Sequence, residues 1–226
     1  MIPAAGSGNR MKSETPKQYL PLSGKTVIEW SLSPFLECDW IAGVVLVLSP
    51  ADSEFAALPI SKHPKLKLVS GGDDRATSVL NGLLKVESLA DEAAPCFVLV
   101  HDAARPAIEL ALLDKLRRQA SDEHGGLLAM PVADTVKREQ DGRVESTLNR
   151  SDLWRAQTPQ LFRLDLLISA MRQALSDGHR LTDEASAMEY AGYQPRLIRG
   201  AETNFKLTYP EHLQMMGRLF DADSGG

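Results

Sequence analysis

The chain has 226 residues, of which 43% are hydrophobic, and its formal net charge is −5 at pH 7. This composition predicts one globular domain over residues 1–226 with a single excursion, and the charge argues against a nucleic-acid partner. No apolar run is long enough to span a bilayer, and no basic region precedes an apolar signal core, so we expect a cytoplasmic protein without a membrane partner. Cys38 and Cys96 have neither metal-site nor disulfide-framework spacing, which agrees with a reducing compartment and ordinary buried thiols.

The first stretch with a chemical signature is a glycine-containing segment, Pro3-Ala4-Ala5-Gly6-Ser7-Gly8-Asn9-Arg10-Met11, which continues to Pro16-Lys17-Gln18-Tyr19. Ala4 and Ala5 are small enough for a flat ring to lie against the backbone. We expect Gly6 and Gly8 to take positive φ and to direct their N–H groups inward. Cationic side chains surround this concavity at Arg10, Lys12 and Lys17. The pattern predicts a loop that wraps a phosphate group, whereas its simplest alternative is a basic surface turn.

Two familiar phosphate motifs do not fit this segment. The dinucleotide-binding fingerprint requires a third glycine where Met11 stands, and Pro16 interrupts the helix that should follow. Gly24-Lys25-Thr26 resembles the end of a Walker loop, but Tyr19 replaces the glycine that this loop requires. A dehydrogenase and a P-loop enzyme are therefore disfavoured.

Strand-like and helix-like segments alternate along the first half of the chain. Little room precedes the opening loop, so we expect a truncated first strand. The apolar patterns then predict a helix over 27–36, strands over 44–48 and 66–69, a helix over 75–89 and a strand over 96–100. Such alternation indicates an α/β fold with a mostly parallel central sheet flanked by helices on both faces. Ligands of such sheets bind beyond the carboxyl ends of the strands, so the opening loop, residues 71–78 and residues 101–106 should converge on one crevice.

The second half begins with a polar two-stranded arm at about residues 134–153, whose strands are joined by the turn Asp141-Gly142. An isolated hairpin is marginally stable in water, so we expect the arm to lie on its own domain or on a second subunit. The α/β pattern then resumes. We expect a helix over 164–175, a helix capped by Thr182 and closed by Gly192, strands over 196–198 and 204–208, a helix from Pro210 to about residue 220, and a frayed tail.

A second stretch with a chemical signature is His101-Asp102-Ala103-Ala104-Arg105-Pro106, which follows a predicted buried strand. Asp102 is placed to hold Mg²⁺ beside a phosphate that Arg105 binds, although it could equally cap the turn and pair with Arg105. A hydrolytic triad is disfavoured because the chain has no G-x-S-x-G elbow. We therefore expect His101 to be structural, either packed or hydrogen-bonded.

Motifs in the same order across nearly the whole chain resemble those of the 2-C-methyl-D-erythritol 4-phosphate cytidylyltransferases. Besides the two stretches above, these motifs are Gly71-Gly72-x-x-Arg75-x-x-Ser78-Val79, Asp134-Thr135-x-Lys137, Arg150, Thr158-Pro159-Gln160, Thr182-Asp183-Glu184-Ala185-Ser186 and Asn204-x-Lys206-x-Thr208. The resemblance implies a Rossmann-like nucleotidyltransferase fold and a homodimer joined through the arm. It also implies transfer of CMP from CTP to methylerythritol phosphate, with pyrophosphate release, in non-mevalonate isoprenoid synthesis.

The resemblance further assigns roles to individual residues. The catalytic cations are Arg10, Lys17 and Lys206. The nucleotide contacts are Ala4, Ala5, Gly6, Gly8, Gly72, Asp73, Arg75 and Ser78. The contacts to the acceptor alcohol phosphate are Asp102, Arg105, Thr135, Arg150 and Thr158, with Asp102 also the ligand of Mg²⁺ or another divalent cation. Thr203 departs from the pattern, because some members carry an acidic residue there and a second carboxylate near the metal is therefore not carried over.

Two other functions share parts of this pattern. A ribitol 5-phosphate cytidylyltransferase would share the nucleotide half and differ in how it holds the alcohol, but the context of Thr135, Arg150 and Thr158 favours methylerythritol phosphate. A non-catalytic CTP-binding regulator is a different class of protein. Binding alone would not require a metal carboxylate and several cations around one phosphorus, so the regulator is the weaker alternative.

Overall fold

The computed structural model describes residues 1–6, 15–91 and 94–223. Its strands are β1 (Ile2–Pro3), β2 (Pro21–Leu22), β3 (Lys25–Thr26), β4 (Val44–Leu48), β5 (Leu66–Ser70), β6 (Phe97–Val100), β7 (Gly126–Pro131), β8 (Lys137–Gln140), β9 (Arg143–Thr147), β10 (Trp154–Arg163) and β11 (Arg196–Arg199). The helices are α1 (Val27–Glu37), α2 (Arg75–Glu87), α3 (Leu110–Ala120), α4 (Leu164–Ser176), α5 (Glu184–Tyr190) and α6 (Pro210–Asp223).

The central sheet forms from two hydrogen-bonded groups, β1-β4-β5 and β11-β7-β10-β6. Met1 joins them, because its amino group donates to the Leu99 carbonyl at 2.7 Å and its carbonyl accepts from the His101 N–H at 3.1 Å. The order across the sheet is therefore β5-β4-β1-β6-β10-β7-β11. Within this sheet, β10 runs antiparallel to β6 and β7, and the β1–β4, β4–β5 and β7–β11 ladders are parallel. The predicted mostly parallel α/β sheet is confirmed.

Helices cover both faces of this sheet, as the alternating pattern predicts. β4 directs successive side chains to opposite faces, with Leu46 in one apolar cluster and Val45 in the other. The first cluster includes Leu32 of α1, and the second includes Leu83 of α2. Helix α1 begins at a capping box in which Thr26 and Glu29 satisfy each other's backbone N–H groups.

Several sequence-based assignments need correction. Residues 204–208 do not form a strand, because Asn204 and Leu207 bond to a neighbouring strand and loop through single contacts. Asp183, not Thr182, caps α5, since the aspartate accepts from the Ser186 N–H at 3.0 Å. Helix α6 also continues to Asp223, beyond the predicted end at 220. Helix α3 and strand β10 were not predicted at all. The predicted closure of α5 by Gly192 is confirmed, because this glycine has φ of 88° just beyond the helix.

The polar arm forms as predicted. Strands β8 and β9 pair antiparallel, and the turn between them has positive φ at Asp141 (50°) and Gly142 (75°), which fits a type I′ hairpin. Every residue of both strands is exposed. The arm therefore buries none of its strand residues against its own domain.

Candidate active site

A cavity of about 380 Å³ opens at the carboxyl ends of β1, β5 and β6. Its walls come from residues 3–6 after β1, residues 72–75 and Ser78 after β5, and residues 102–104 after β6. Lys17, Gln18 and Lys206 complete the lining. The predicted convergence of the three loops on one crevice is thus confirmed.

One wall of the cavity is narrow because small residues let backbone segments approach closely. A β-carbon on Gly71 would lie 2.7 Å from the Ala5 β-carbon, and one on Gly72 would lie 2.4 Å from Cγ2 of Thr77. The Ser78 hydroxyl fixes this turn by accepting from the Gly72 N–H at 3.0 Å and donating to the Asp74 carbonyl at 2.8 Å. Ala4 and Ala5 line the cavity beside this turn, and we call this part of the cavity the slot.

The opening loop is described only in part. Gly8, Arg10 and Lys12 lie outside the described residues. Gly6 is described, and its φ is not in the left-handed region, so the expected positive φ is wrong at that position.

A short helical turn, Lys17–Tyr19, presents one lysine to the cavity and fixes its own position with the next two side chains. Gln18 donates to the Ala4 carbonyl at 3.1 Å, and the Tyr19 hydroxyl donates to the Asp52 carboxylate at 2.5 Å. The Lys17 ammonium donates to the Leu207 carbonyl at 3.2 Å. The turn therefore connects the end of the opening strand to the loop before α6 and holds the Lys17 ammonium between them.

Asp102 is the centre of charge in the cavity. Its carboxylate lies 2.7 Å from the Lys206 ammonium, 3.7 Å from Arg105 Nε and 3.8 Å from Arg75 Nη2. Burial alone would raise the pKa of Asp102, but the neighbouring cations, Lys206 foremost, outweigh it and hold that pKa well below its usual range. Asp102 is therefore an anion throughout the neutral range.

His101 lies beneath the cavity and is fully buried. Because the Arg105 carbonyl can only accept, the 3.0 Å contact places the proton on His101 Nε2, which leaves Nδ1 to accept from the Thr158 hydroxyl at 3.0 Å. The Thr158 oxygen in turn accepts from the Asp102 N–H at 3.0 Å. Burial lowers the pKa of His101 to about 4, so the ring is neutral. The predicted structural role of His101 is confirmed.

Two of the predicted acceptor contacts lie in this layer beneath the cavity. Thr158 is 5% exposed and is occupied by the network just described. Arg105 donates to the carbonyls of Asn204 at 2.7 Å and Ala156 at 3.3 Å, which fixes the loop that carries Lys206. Neither side chain lines the cavity. Their direct contact with a substrate stays a prediction.

The other two predicted acceptor contacts lie on the arm. Thr135 and Arg150 are exposed, and neither lines the cavity of its own chain. The Arg150 guanidinium donates to the Ala133 carbonyl at the base of the arm. The structure thus separates a nucleotide-sized cavity from the arm residues.

Sequence reasoning missed the importance of Glu184. This residue is 1% exposed, and its Oε1 lies 2.9 Å from Nη1 of Arg75, which lines the cavity. Burial raises the pKa of Glu184, and the Arg75 guanidinium opposes that shift. In the sequence, an acidic residue next to a helix cap is explained by the cap itself. The contact between Glu184 and Arg75 is therefore visible only in the structure.

The metal predicted at Asp102 can be tested against the donors present. Within the described ranges, no group of three or more His, Cys, Asp or Glu side chains could form an all-protein metal site. Mg²⁺ commonly uses one or two carboxylates together with substrate phosphates and water. Asp102 faces a cavity that Asp73 and Asp74 also line, and its carboxylate fits a metal that enters with a nucleotide.

Across the described helices, none is both long and apolar enough to cross a bilayer. A mostly parallel sheet whose carboxyl edge holds a cavity lined by small residues, two lysines, Arg75 and three aspartates fits a protein of the nucleotidyltransferase class. The family model of 2-C-methyl-D-erythritol 4-phosphate cytidylyltransferase matches residues 1–219, and the chain belongs to that family.

Individual relatives agree with this assignment. The chain is 48% identical over 222 residues to a 2-C-methyl-D-erythritol 4-phosphate cytidylyltransferase of Pseudomonas aeruginosa, covering 97% of this chain and 94% of the relative. Among solved structures, a 4-diphosphocytidyl-2C-methyl-D-erythritol synthase is 40% identical with a TM-score of 0.83, covering 97% and 96% of the two chains. The corresponding cytidylyltransferase of Thermus thermophilus is 30% identical with a TM-score of 0.80, covering 96% of each chain.

Proposed function

We propose that the protein transfers CMP from CTP to 2-C-methyl-D-erythritol 4-phosphate, giving 4-CDP-2-C-methyl-D-erythritol and pyrophosphate in non-mevalonate isoprenoid synthesis. The observation that carries this proposal is the meeting of Lys17, Lys206 and Asp102 in a single cavity beside a slot of small residues. Membership of the cytidylyltransferase family supports the same reaction.

The slot supplies the nucleotide subsite in this proposal. Ala4, Ala5 and Gly72 are small residues of the cavity lining. In the proposal, the pyrimidine lies against them and a purine is rejected by its size. Backbone groups near Asp73 and Ser78 then distinguish the amino-pyrimidine edge. Arg75 faces the polyphosphate from the same wall.

The chemistry requires no general base. The acceptor phosphate attacks the α-phosphorus in line, and with a second pKa of about 6 it is already largely a dianion at neutral pH. Positioning and charge neutralisation then supply the catalysis. Lys17 and Lys206 serve this purpose in the proposal, and Arg10 does so from the loop outside the described residues.

Mg²⁺ is the proposed cofactor, held by Asp102 together with nucleotide phosphates. When bound, it would neutralise charge on the phosphates and on the departing pyrophosphate. The Lys206 ammonium donates to Asp102 Oδ2 at 2.7 Å, so this lysine lies beside the carboxylate that would hold the metal.

The arm completes the acceptor subsite in a homodimer. Thr135 and Arg150 of the partner chain contact the methylerythritol phosphate from across the interface, together with Arg105 and Thr158 of the chain that holds CTP. An arm whose strands are wholly exposed supports this arrangement. The proposed setting of the reaction is the cytoplasm.

Pyrophosphate release from CTP tests the proposal directly. We expect release with methylerythritol phosphate, little with ribitol 5-phosphate and none without an acceptor, all in the presence of Mg²⁺. Faster release with ribitol 5-phosphate would indicate that the protein is a ribitol 5-phosphate cytidylyltransferase. CTP binding without release under any condition would instead indicate a regulator.

A further inference from the structure

Glu184 is a buried ionisable side chain that the proposed chemistry does not use. It does not line the cavity, yet its carboxylate lies 2.9 Å from the guanidinium of Arg75, which does. The Nη2 atom of the same guanidinium lies 3.4 Å from Glu184 Oε2 and 3.8 Å from Asp102 Oδ1. Arg75 therefore contacts one carboxylate of the cavity and, more closely, a buried carboxylate outside it.

The position of Glu184 is fixed by the residues on either side of it. Gln160 of β10, itself 1% exposed, donates to the Asp183 carboxylate at 2.8 Å and accepts from the Ala185 N–H at 2.8 Å. Asp183 also caps α5. These contacts connect the two sequence motifs around residues 158–160 and 182–186. They fix the chain on both sides of Glu184, whose carboxylate contacts Arg75.

Energetics indicate that the pairing matters to both partners. A carboxylate as buried as Glu184 is costly unless a cation balances it, and Arg75 is the cation in contact. The Arg75 side chain is 39% exposed, so without that contact its long stem would have many rotamers available. A fixed, buried carboxylate thus removes most of the orientational freedom of a guanidinium in the cavity wall.

We propose that Glu184 is a positioning residue, which orients Arg75 toward the polyphosphate and keeps it from closing onto Asp102. The inference rests on the proposed function, since it assigns Arg75 to the nucleotide. Arg75 stays at 3.8 Å from Asp102, whereas Lys206 is the close partner of that carboxylate at 2.7 Å. Glu184 therefore separates the roles of two cations that would otherwise compete for one anion.

Glu184→Gln keeps the shape of the side chain and removes its charge. Arg75 retains its own charge, so CTP affinity measured by calorimetry without acceptor should stay within about threefold, while kcat should fall about tenfold because orientation is lost. Arg75→Gln should weaken CTP binding itself. In the Arg75→Gln background, adding Glu184→Gln should lower kcat no further.

Stability gives a second readout that does not depend on turnover. Arg75→Gln leaves the buried carboxylate unpaired, so it should unfold at lower urea than the wild type. The double variant removes that unpaired charge and should unfold at higher urea than Arg75→Gln alone. If Glu184→Gln alone does not fold, the comparison of Arg75→Gln with the double variant still tests the inference. The inference requires the double variant to be more stable than Arg75→Gln and no less active than it.

Asp165→Asn is the control for losing one carboxylate from an arginine pair, since Asp165 lies 2.6 Å from Arg163 and outside the cavity. It should leave kcat unchanged. Full kcat in Glu184→Gln, or additive losses of kcat in the double variant, would overturn the inference. A wild type that releases no pyrophosphate would overturn the proposed function instead, and the stability comparison would remain to judge the pairing.

Discussion

The cavity and the arm are opposite kinds of site within one chain. In the cavity, Ala4 is 6% exposed, Ser78 4% and Asp102 9%, and each is fixed by its own chain. In the arm, every residue of β8 and β9 is exposed, and Val144 leaves 64% of its surface accessible. The proposed nucleotide contacts therefore lie at positions that the fold itself fixes, whereas the proposed arm contacts lie beside strands that their own domain leaves exposed.

A two-stranded hairpin in water is marginally stable, so the arm gains most from a partner. Leu153 and Trp154 at its base are also 37% and 38% exposed. These apolar side chains support the proposed contact with a second copy. Two outcomes would separate these regions experimentally: the arm could contribute residues to the site of its own chain, or the cavity could be inactive without the arm of a partner.

The largest effect is expected from the cavity lysines. Lys17→Ala or Lys206→Ala should lower kcat by on the order of 10²-fold or more, with less effect on the KM for CTP, because charge develops on the phosphates in the transition state. The same holds for Arg10→Ala. Lys25→Ala is the matched control, since Lys25 lies over the Trp30 ring and outside the cavity, and its kcat should be unchanged. A near-normal kcat for Lys17→Ala would remove that lysine from the catalytic group.

Mixing variants tests which subunit uses the arm. Lys17→Ala and Arg150→Ala should each be nearly inactive as homodimers. If Arg150 acts across the interface, a heterodimer has one site with both defects and one with neither, so equal mixing with random exchange should restore roughly a quarter of wild-type activity. Pyrophosphate release after mild denaturation and refolding measures this recovery.

A second mixture provides the control. Lys17 and Lys206 line the same cavity, so mixing Lys17→Ala with Lys206→Ala leaves one defect in every site and should restore nothing. Recovery in that mixture would mean that the two lysines do not act in the same site. No recovery with Arg150→Ala would mean that the arm does not complete a neighbouring site.

A smaller effect is expected at the proposed metal position. Asp102→Asn keeps the side-chain shape but removes the charge, so the Mg²⁺ concentration for half-maximal rate should rise about tenfold. The measurement is a magnesium titration of pyrophosphate release, with circular dichroism to verify the fold. Asp177→Asn, on the surface beside Tyr190, is the control and should not shift the titration. An unshifted titration for Asp102→Asn would leave Asp102 as a partner of Lys206 only.

The smallest effect concerns the layer beneath the cavity. The pKa of His101 falls from 6.5 to about 4 on folding, so below pH 6.5 the unfolded chain binds more protons and the folded state loses stability as the pH falls. The loss between pH 6.5 and 4 is up to about 3 kcal/mol. Urea unfolding across that range measures it, and ¹⁵N NMR should find one histidine ring, protonated on Nε2, that does not titrate above pH 5. If the His101 ring itself titrates near pH 6.5, this prediction is wrong.

Sequence patterns were informative where apolar periodicity is strong. Val44–Leu48 is continuously apolar and fully buried, and α2 follows an aspartate cap, so both elements could be placed in advance. The convergence of three strand-end loops followed from the parallel topology alone. The cavity could thus be predicted before its side-chain contacts were known.

Other elements had no such signal. Strand β10 begins with the exposed residues Trp154, Arg155 and Ala156 and contains Pro159, so its sequence lacks the alternation typical of a strand. Pairing on both edges makes it a strand. Residues 204–208 have the alternating pattern of a strand but do not form one. Their contacts to Thr158 and Ala104 are isolated hydrogen bonds and not part of a ladder. Arg105 and Thr158 looked like ligand contacts in sequence. Their occupation by internal bonds depends on long-range geometry.

The reversed direction of β10 has a consequence for how such a protein can diversify. Because β10 runs against β7, the chain leaves the sheet at Pro131 and re-enters opposite it at Trp154, and the Val132 N–H donates to the Leu153 carbonyl at 3.0 Å. The whole excursion between them is an insertion with adjoining ends. Its length and sequence can therefore change without moving any strand of the central sheet.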